Sequence, residues 1–185
     1  ERGLPSNHPI MYIHGLIVFH FPGDLMHTGC LGVVQYVCGS TLYELVQENE
    51  AGIRPSDALS QLWCEIRGLY STMGKRYRLT NLTLEMFMPT SNYPVLRAKA
   101  ADSQALMFVL RETCEGKRHQ SRHAEHRYSL LDALCTLYSI CRDGPMVLSN
   151  DDADRLLVCV DVAMTHSNWL LAEAVGMDRL KWPHM

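Results

Sequence analysis

Apolar residues recur every three or four positions along most of this chain of 185 residues, which is the period of one face of an α-helix. This feature constrains the fold more than any other, because such a face must be buried against a neighbouring element. The clearest stripe consists of Leu59, Leu62, Trp63, Ile66, Leu69, Tyr70 and Met73. Similar stripes predict helices over residues 94–115 and 128–142, and from Ser149 onwards.

Two further segments complete the predicted architecture. Residues 10–21 are rich in β-branched and aromatic side chains between Pro9 and Pro22, which predicts a buried strand. Residues 28–50 have the composition of a helix. Asp143-Gly144-Pro145 ends the helix before the last one, so we expect the last two helices to form an antiparallel hairpin. The predicted fold class is mainly α, with one N-terminal β element packed on four to five helices.

Composition predicts one folded domain spanning residues 1–185. A hydrophobic fraction of 47% suffices for a substantial core. We expect the strand and its turn in residues 1–27, the helical region in 28–185, and a longer parent protein. The seven cysteines include no Cys-x-x-Cys pair, which favours reduced thiols in an intracellular protein. We expect no membrane-spanning segment.

The turn after the predicted strand carries a candidate metal site. Asp24 and His27 lie three residues apart between the strand and the next helix, where both side chains can face the same way. A carboxylate at a strand end can hold a divalent metal ion. The competing interpretation is that Asp24 caps the helix and His27 is a polar residue of its first turn.

Three stretches carry a resemblance to a known family. They are Asp24-Leu25-Met26-His27 with the following Leu31-Gly32-Val33 and Gly39-Ser40-Thr41-Leu42, then Tyr93-Pro94-Val95-Leu96-Arg97-Ala98-Lys99-Ala100-Ala101-Asp102, and finally Trp182-Pro183-His184-Met185. In this pattern the chain resembles transposase-like proteins of CACTA-type DNA transposons. The resemblance touches both ends and the middle of the chain through short motifs.

This resemblance implies an RNase-H-like core interrupted by a helical insertion, acting in the nucleus. The family's Asp-Asp-Glu set binds two Mg²⁺ or Mn²⁺ ions for DNA cleavage and strand transfer. Carried over, Asp24 is either the second acid of this set or the acid of an accompanying Asp-x-x-His signature, and His27 supports it by hydrogen bonding or binds metal. Asp102 is a further catalytic position.

The chain also departs from the family pattern. The first nine residues contain only Glu1 as an acid, so the first aspartate has no counterpart there. Asp102 stands where the family usually carries glutamate, and a salt bridge with Lys99 is the alternative role for it. We therefore expect an internal fragment that is incomplete or inactive as an enzyme.

Two basic clusters are candidate nucleic-acid contacts, although a formal net charge of −3 requires any DNA contact to be local. The first consists of Lys75, Arg76 and Arg78 around Tyr77, which could bind phosphate and stack on a base. The second consists of Lys117, Arg118, Arg122 and Arg127. For each cluster a solvated surface is the favoured interpretation, with nucleic-acid contact as the alternative.

Histidines within the second cluster raise a further alternative. His119, His123 and His126 would share one face of a continuous helix, a spacing compatible with zinc. We rank Zn²⁺ below phosphate contact and below a solvated helix face, because no fourth ligand has a recognisable spacing. Three functional hypotheses follow: a transposase-derived fragment, a noncatalytic helical module that binds DNA or protein, and an unrelated metal-binding helical protein. Other segments of the parent chain are further expected partners.

Overall fold

The structure is a computed structural model, and it describes residues 25–48, 52–74, 78–88, 93–144 and 148–176. Within these ranges the chain is helical and contains no strand, so the mainly α prediction is confirmed. Residues 10–21, for which a strand was predicted, lie outside the described residues. None of the described helices combines the length and apolarity needed to cross a membrane.

Five α-helices account for most of the described residues. A π-helical segment, Leu25–Val33, continues directly into the first of them. The helices are α1 (Val34–Gln47), α2 (Pro55–Thr72), α3 (Ala100–Glu115), α4 (Arg122–Asp143) and α5 (Asn150–Gly176), with a 3₁₀ turn at Leu84–Met86 between α2 and α3.

Local sequence explains where several helices begin. Pro55 occupies the first turn of α2, where its missing N–H costs nothing. Ser121 caps α4 by accepting a hydrogen bond from the Ala124 amide at 3.0 Å. Ser149 does the same for α5, accepting from the Asp152 amide at 3.1 Å. The side-chain oxygens satisfy amides that have no partner within the helix.

Helix α3 lies at the centre of the core, packed against α1, α2 and α4. Its buried residues face several directions and include Leu106, Met107, Val109 and Leu110, all fully buried. A helix that is apolar on several faces must be enclosed by others. On the outside, α5 packs against α4 in the expected antiparallel hairpin.

The predicted start of α3 at Pro94 is wrong by six residues, since the helix begins at Ala100. Residues 94–98 instead cross α1 as an extended strap. The Leu96 amide donates to the Gln35 carbonyl at 2.9 Å, and the Gln35 side chain donates to the Ala98 carbonyl at 2.6 Å. These bonds to α1 take the place of the helical bonds that the strap would otherwise form.

Candidate functional site

The most concentrated group of charges joins α1 to α4. Glu44 and Glu48 lie four residues apart at the end of α1, and His123 and Arg127 lie four residues apart on α4. Residues at this spacing share a helix face, so the two pairs meet where the helices approach each other. We call these four residues, together with Glu173 of α5, the charge cluster.

Arg127 is the interior cation of the charge cluster. Its side chain is only 1% exposed. One guanidinium nitrogen donates to Glu44 at 3.0 Å, and the same nitrogen and its neighbour donate to the two oxygens of Glu48 at 2.7 and 2.9 Å. Burial disfavours the charged form, yet Glu48 and Glu44, with a contribution from the Cys114 thiol, keep the pKa of Arg127 above its ordinary value. The guanidinium is therefore charged, and its two terminal nitrogens donate to Glu44 and Glu48.

His123 links all three helices of the charge cluster. Its Nε2 lies 2.8 Å from Glu44, and its Nδ1 contacts Glu173. Both ring nitrogens thus face a carboxylate, which favours the doubly protonated ring. Burial alone would lower the pKa of His123, but the hydrogen bonds with Glu44 and Glu173 outweigh it and raise the pKa above 6.5.

A second histidine contact lies beside the charge cluster. His126 and His166 approach through their Nδ1 atoms at 2.7 Å, so one ring must be the unprotonated acceptor. The His126 ring also stacks on Trp169, with centroids 3.9 Å apart and an interplanar angle of 4°. Burial lowers the pKa of both histidines, and for His126 the neighbouring His166 lowers it further. Neutral rings are therefore favoured here.

These contacts separate the three histidines that the sequence grouped together. His119 precedes α4, which begins at Arg122, so the three do not share one helix face. His119 accepts from Arg118 at 2.9 Å, His123 faces two carboxylates and His126 faces His166. They do not converge on a common point. Across the described ranges, no three His, Cys, Asp or Glu residues are arranged to hold a metal ion.

The raised pKa of His123 predicts how stability changes with pH. A group whose pKa is higher in the folded state stabilises the fold fully below its ordinary pKa, 6.5 here, and loses that contribution as pH rises through the folded value. We expect the free energy of unfolding to decline with rising pH above 6.5 in the wild type. Between pH 6.5 and about 8, below the range in which the buried Cys38 and Cys114 thiols affect stability, this decline should disappear in His123→Gln, as measured by urea unfolding at a series of pH values. An identical pH profile in both proteins would contradict the assignment.

A different arrangement, an open groove, lies on α2 and the segment that follows it. The groove has a volume of about 480 Å³ and is lined by Trp63, Arg67, Tyr70, Ser71, Arg78, Leu79 and Thr80. Buried Tyr70 and half-buried Trp63 form an edge-to-face contact, with ring centroids 6.5 Å apart at 77°. The indole of Trp63 is an aromatic wall of the groove.

Two arginines supply the charge of this α2 groove. Arg67 follows Trp63 by one helical turn, and Arg78 enters from the segment after α2. Both are exposed, and neither forms an ion pair with a carboxylate of the described ranges. An aromatic wall beside two available guanidinium groups can bind a planar ligand that carries negative charge.

The residues predicted for catalysis are only partly described. Asp24 lies outside the described residues, and of His27 only the helical backbone is described, within Leu25–Val33. Asp102 lies half-buried in the first turn of α3, where a carboxylate interacts favourably with the helix dipole. The metal site expected from Asp24 and His27 therefore remains a prediction.

The predicted nucleic-acid contacts fall into three environments. Arg78 lines the α2 groove, while Lys75 and Arg76 lie outside the described residues. Lys117, Arg118 and Arg122 remain at or near the surface, where Arg122 lies over the Trp169 ring at 5.3 Å. Arg127 is inside, held by Glu44 and Glu48, and cannot reach a phosphate without breaking the charge cluster.

The sequence interpretation did not single out Arg67, Glu44 or Glu48. Trp63 was assigned to an apolar stripe, whereas it is half-buried and borders the α2 groove. Two spacings in the sequence could have indicated these residues. Trp63 and Arg67 lie four positions apart, and the acidic pair of α1 has the same four-residue spacing as the basic pair of α4. Only the fold shows that the acidic and basic pairs meet.

No protein-family model matches the chain, and no significant match to a curated protein or a solved structure was found. The geometry of the described residues therefore provides the basis for a functional proposal, together with the motifs of the sequence.

Proposed function

We propose that the chain is a noncatalytic helical module that binds DNA, and that an unpaired stretch of the DNA binds in the α2 groove. The observation that carries this proposal is the pairing of an indole wall with two arginines that have no carboxylate partner in the described ranges. Single strands are recognised by this combination, because every base can stack and every phosphate carries charge.

Each side chain of the α2 groove has a distinct part in the proposed contact. Trp63 offers a face on which a base can stack, a contact worth about 1–3 kcal/mol. Arg67 and Arg78 each donate to a phosphate on either side of that base. Thr80 has an exposed hydroxyl group at the groove that can donate to a phosphate or sugar oxygen. The exposed Ser71 hydroxyl donates to the Arg67 carbonyl at 3.3 Å.

The sequence between the two arginines supports the same location. Lys75, Arg76 and Tyr77 lie in the chain between the end of α2 and Arg78, outside the described residues. Their charge and aromatic character match those of the groove residues and suit the same kind of ligand. The positive charge of the groove is local, consistent with a chain whose formal net charge is −3.

The resemblance to CACTA-type transposase-like proteins suggests the larger setting of this module. We propose that it derives from the helical region of such a nuclear protein, in which Mg²⁺ or Mn²⁺ held by acidic residues performs DNA cleavage. Asp24, His27 and Asp102 are the positions that the resemblance assigns to this chemistry. This part of the proposal rests on sequence motifs alone, whereas DNA binding by the groove rests also on its geometry.

Removing both groove arginines tests the proposal. We expect Arg67→Gln with Arg78→Gln to weaken binding of a fluorescent oligothymidine by roughly tenfold, and to lower the slope of log K against log salt by about 1.4, since each single-strand phosphate contact contributes about 0.7. Fluorescence anisotropy over a range of salt concentrations measures both quantities. Trp63→Phe should retain most of the affinity, because a phenyl ring still stacks.

Two control variants locate the binding surface. Arg142→Gln with Arg155→Gln removes the same charge from exposed arginines that already pair with aspartates, and should leave affinity nearly unchanged. Lys117→Gln with Arg118→Gln and Arg122→Gln removes the three cations of the second basic cluster that lie at or near the surface. If this triple variant loses DNA binding and the groove variant does not, the groove is not the binding site.

A further inference from the structure

Helix α5 carries an apolar stripe on its solvent side. Leu157 is 64% exposed, Val160 43% and Met164 38%. These residues and exposed Ala153 follow one another at intervals of four, three and four positions. This is the heptad spacing of the two seam positions of a coiled coil. We call these four residues the α5 seam.

The α5 seam is not part of the protein core. A different side of α5 packs against α4 through buried residues such as Cys159 and Ala163. A helix that already buries one stripe against its neighbour has no structural need for a second apolar stripe in water. Exposed apolar residues that share one helix face can form a binding site for another protein.

Acidic side chains accompany the seam along one flank. Asp154 and Asp161 directly follow two seam residues, Ala153 and Val160, and are seven positions apart. Both are exposed, and neither forms an ion pair within the described ranges. The neighbouring cation, Arg155, is engaged with Asp152 at 3.2 Å. The flank therefore presents a row of available negative charge, which favours a partner with positive charge.

We propose that the α5 seam binds an amphipathic helix of a partner protein, with an apolar heptad seam flanked by lysine or arginine. The partner's apolar side chains pack between Leu157, Val160 and Met164, and its cations pair with Asp154 and Asp161. A second copy of this chain fits less well. In an antiparallel pair, the acidic flanks of the two copies would face each other. In a parallel pair, the acidic flank of one copy would face Leu156 and Ala163 of the other, which are uncharged.

A pair of designed helical peptides tests this proposal. Both carry leucine at the seam positions, one with lysine and the other with glutamate at the flanking positions. We expect the wild type to bind the lysine peptide about tenfold more tightly, which corresponds to about 1.4 kcal/mol. Asp154→Lys with Asp161→Lys should reverse this preference, and Leu157→Ser with Met164→Ser should abolish binding of both peptides. Circular dichroism checks that each variant keeps its helix content.

The matched control changes the same charge elsewhere. Glu65 and Glu115 are exposed on α2 and α3, and Glu65→Lys with Glu115→Lys should leave the preference for the lysine peptide in place. The proposal is overturned if this control removes the preference, if the seam variant binds as well as the wild type, or if the wild type binds both peptides equally. Self-association that Leu157→Ser eliminates, measured by sedimentation, would assign the seam to a second copy and also overturn it.

Discussion

Replacing Arg127 with methionine should lower the free energy of unfolding by about 3–5 kcal/mol, which is the usual cost of removing one partner of a buried ion pair. The side chain is 1% exposed, and its partner Glu44 is 8% exposed. Methionine fills much of the same volume, so the loss arises mainly from charge. Without the guanidinium, the carboxylates of Glu44 and Glu48 lie side by side with His123 as the remaining nearby cation. Urea unfolding followed by circular dichroism at neutral pH measures the change.

Two further variants separate the charge effect from packing. Arg127→Met combined with Glu44→Gln also removes one of the two carboxylates that contacted Arg127, and should recover a substantial part of the lost stability. Arg142→Met removes an exposed arginine from the same helix and should change stability by less than about 0.5 kcal/mol. A loss in Arg127→Met no larger than that of Arg142→Met would mean that Arg127 is not an interior residue.

Helical periodicity predicted most of the architecture, because it reports directly on which residues are buried. In α2, Leu59, Leu62, Ile66 and Tyr70 of the predicted stripe are buried. The capping role of Ser149 was also predictable, since it depends only on neighbouring residues. Local sequence determines both features, so no knowledge of distant contacts was needed.

Contacts between distant residues explain what the sequence did not predict. Residues 94–98 have a composition compatible with helix, but they are extended because they form hydrogen bonds with α1 instead. Arg127 belongs to a basic cluster in the sequence, yet in the fold it is buried and paired with Glu48, which is 79 positions away. The α2 groove combines residues before and after the end of a helix. Such pairings depend on how helices pack, which periodicity alone does not specify.

The close approach of the strap to α1 leaves no room for a side chain at Gly39. A Cβ atom at this position would lie 2.7 Å from the Leu96 amide nitrogen, 2.8 Å from the Val95 Cα and 2.9 Å from the Pro94 carbonyl oxygen. All three are backbone atoms, so no side chain can rotate away. The strap would have to move from α1, weakening the bond from the Leu96 amide to the Gln35 carbonyl.

We therefore expect Gly39→Ala to lower the free energy of unfolding by about 2–3 kcal/mol, since overpacking against fixed atoms exceeds the gain from a better helix former. Gly68→Ala is the matched control, because a Cβ there meets nothing within 4 Å in the interior of α2. That substitution should raise stability by about 0.5–1 kcal/mol, as alanine favours helix over glycine. If urea unfolding shows that Gly39→Ala lowers the free energy of unfolding and Gly68→Ala raises it, close contact with the strap is what requires glycine at position 39. Stabilisation by both would instead place the strap farther from α1.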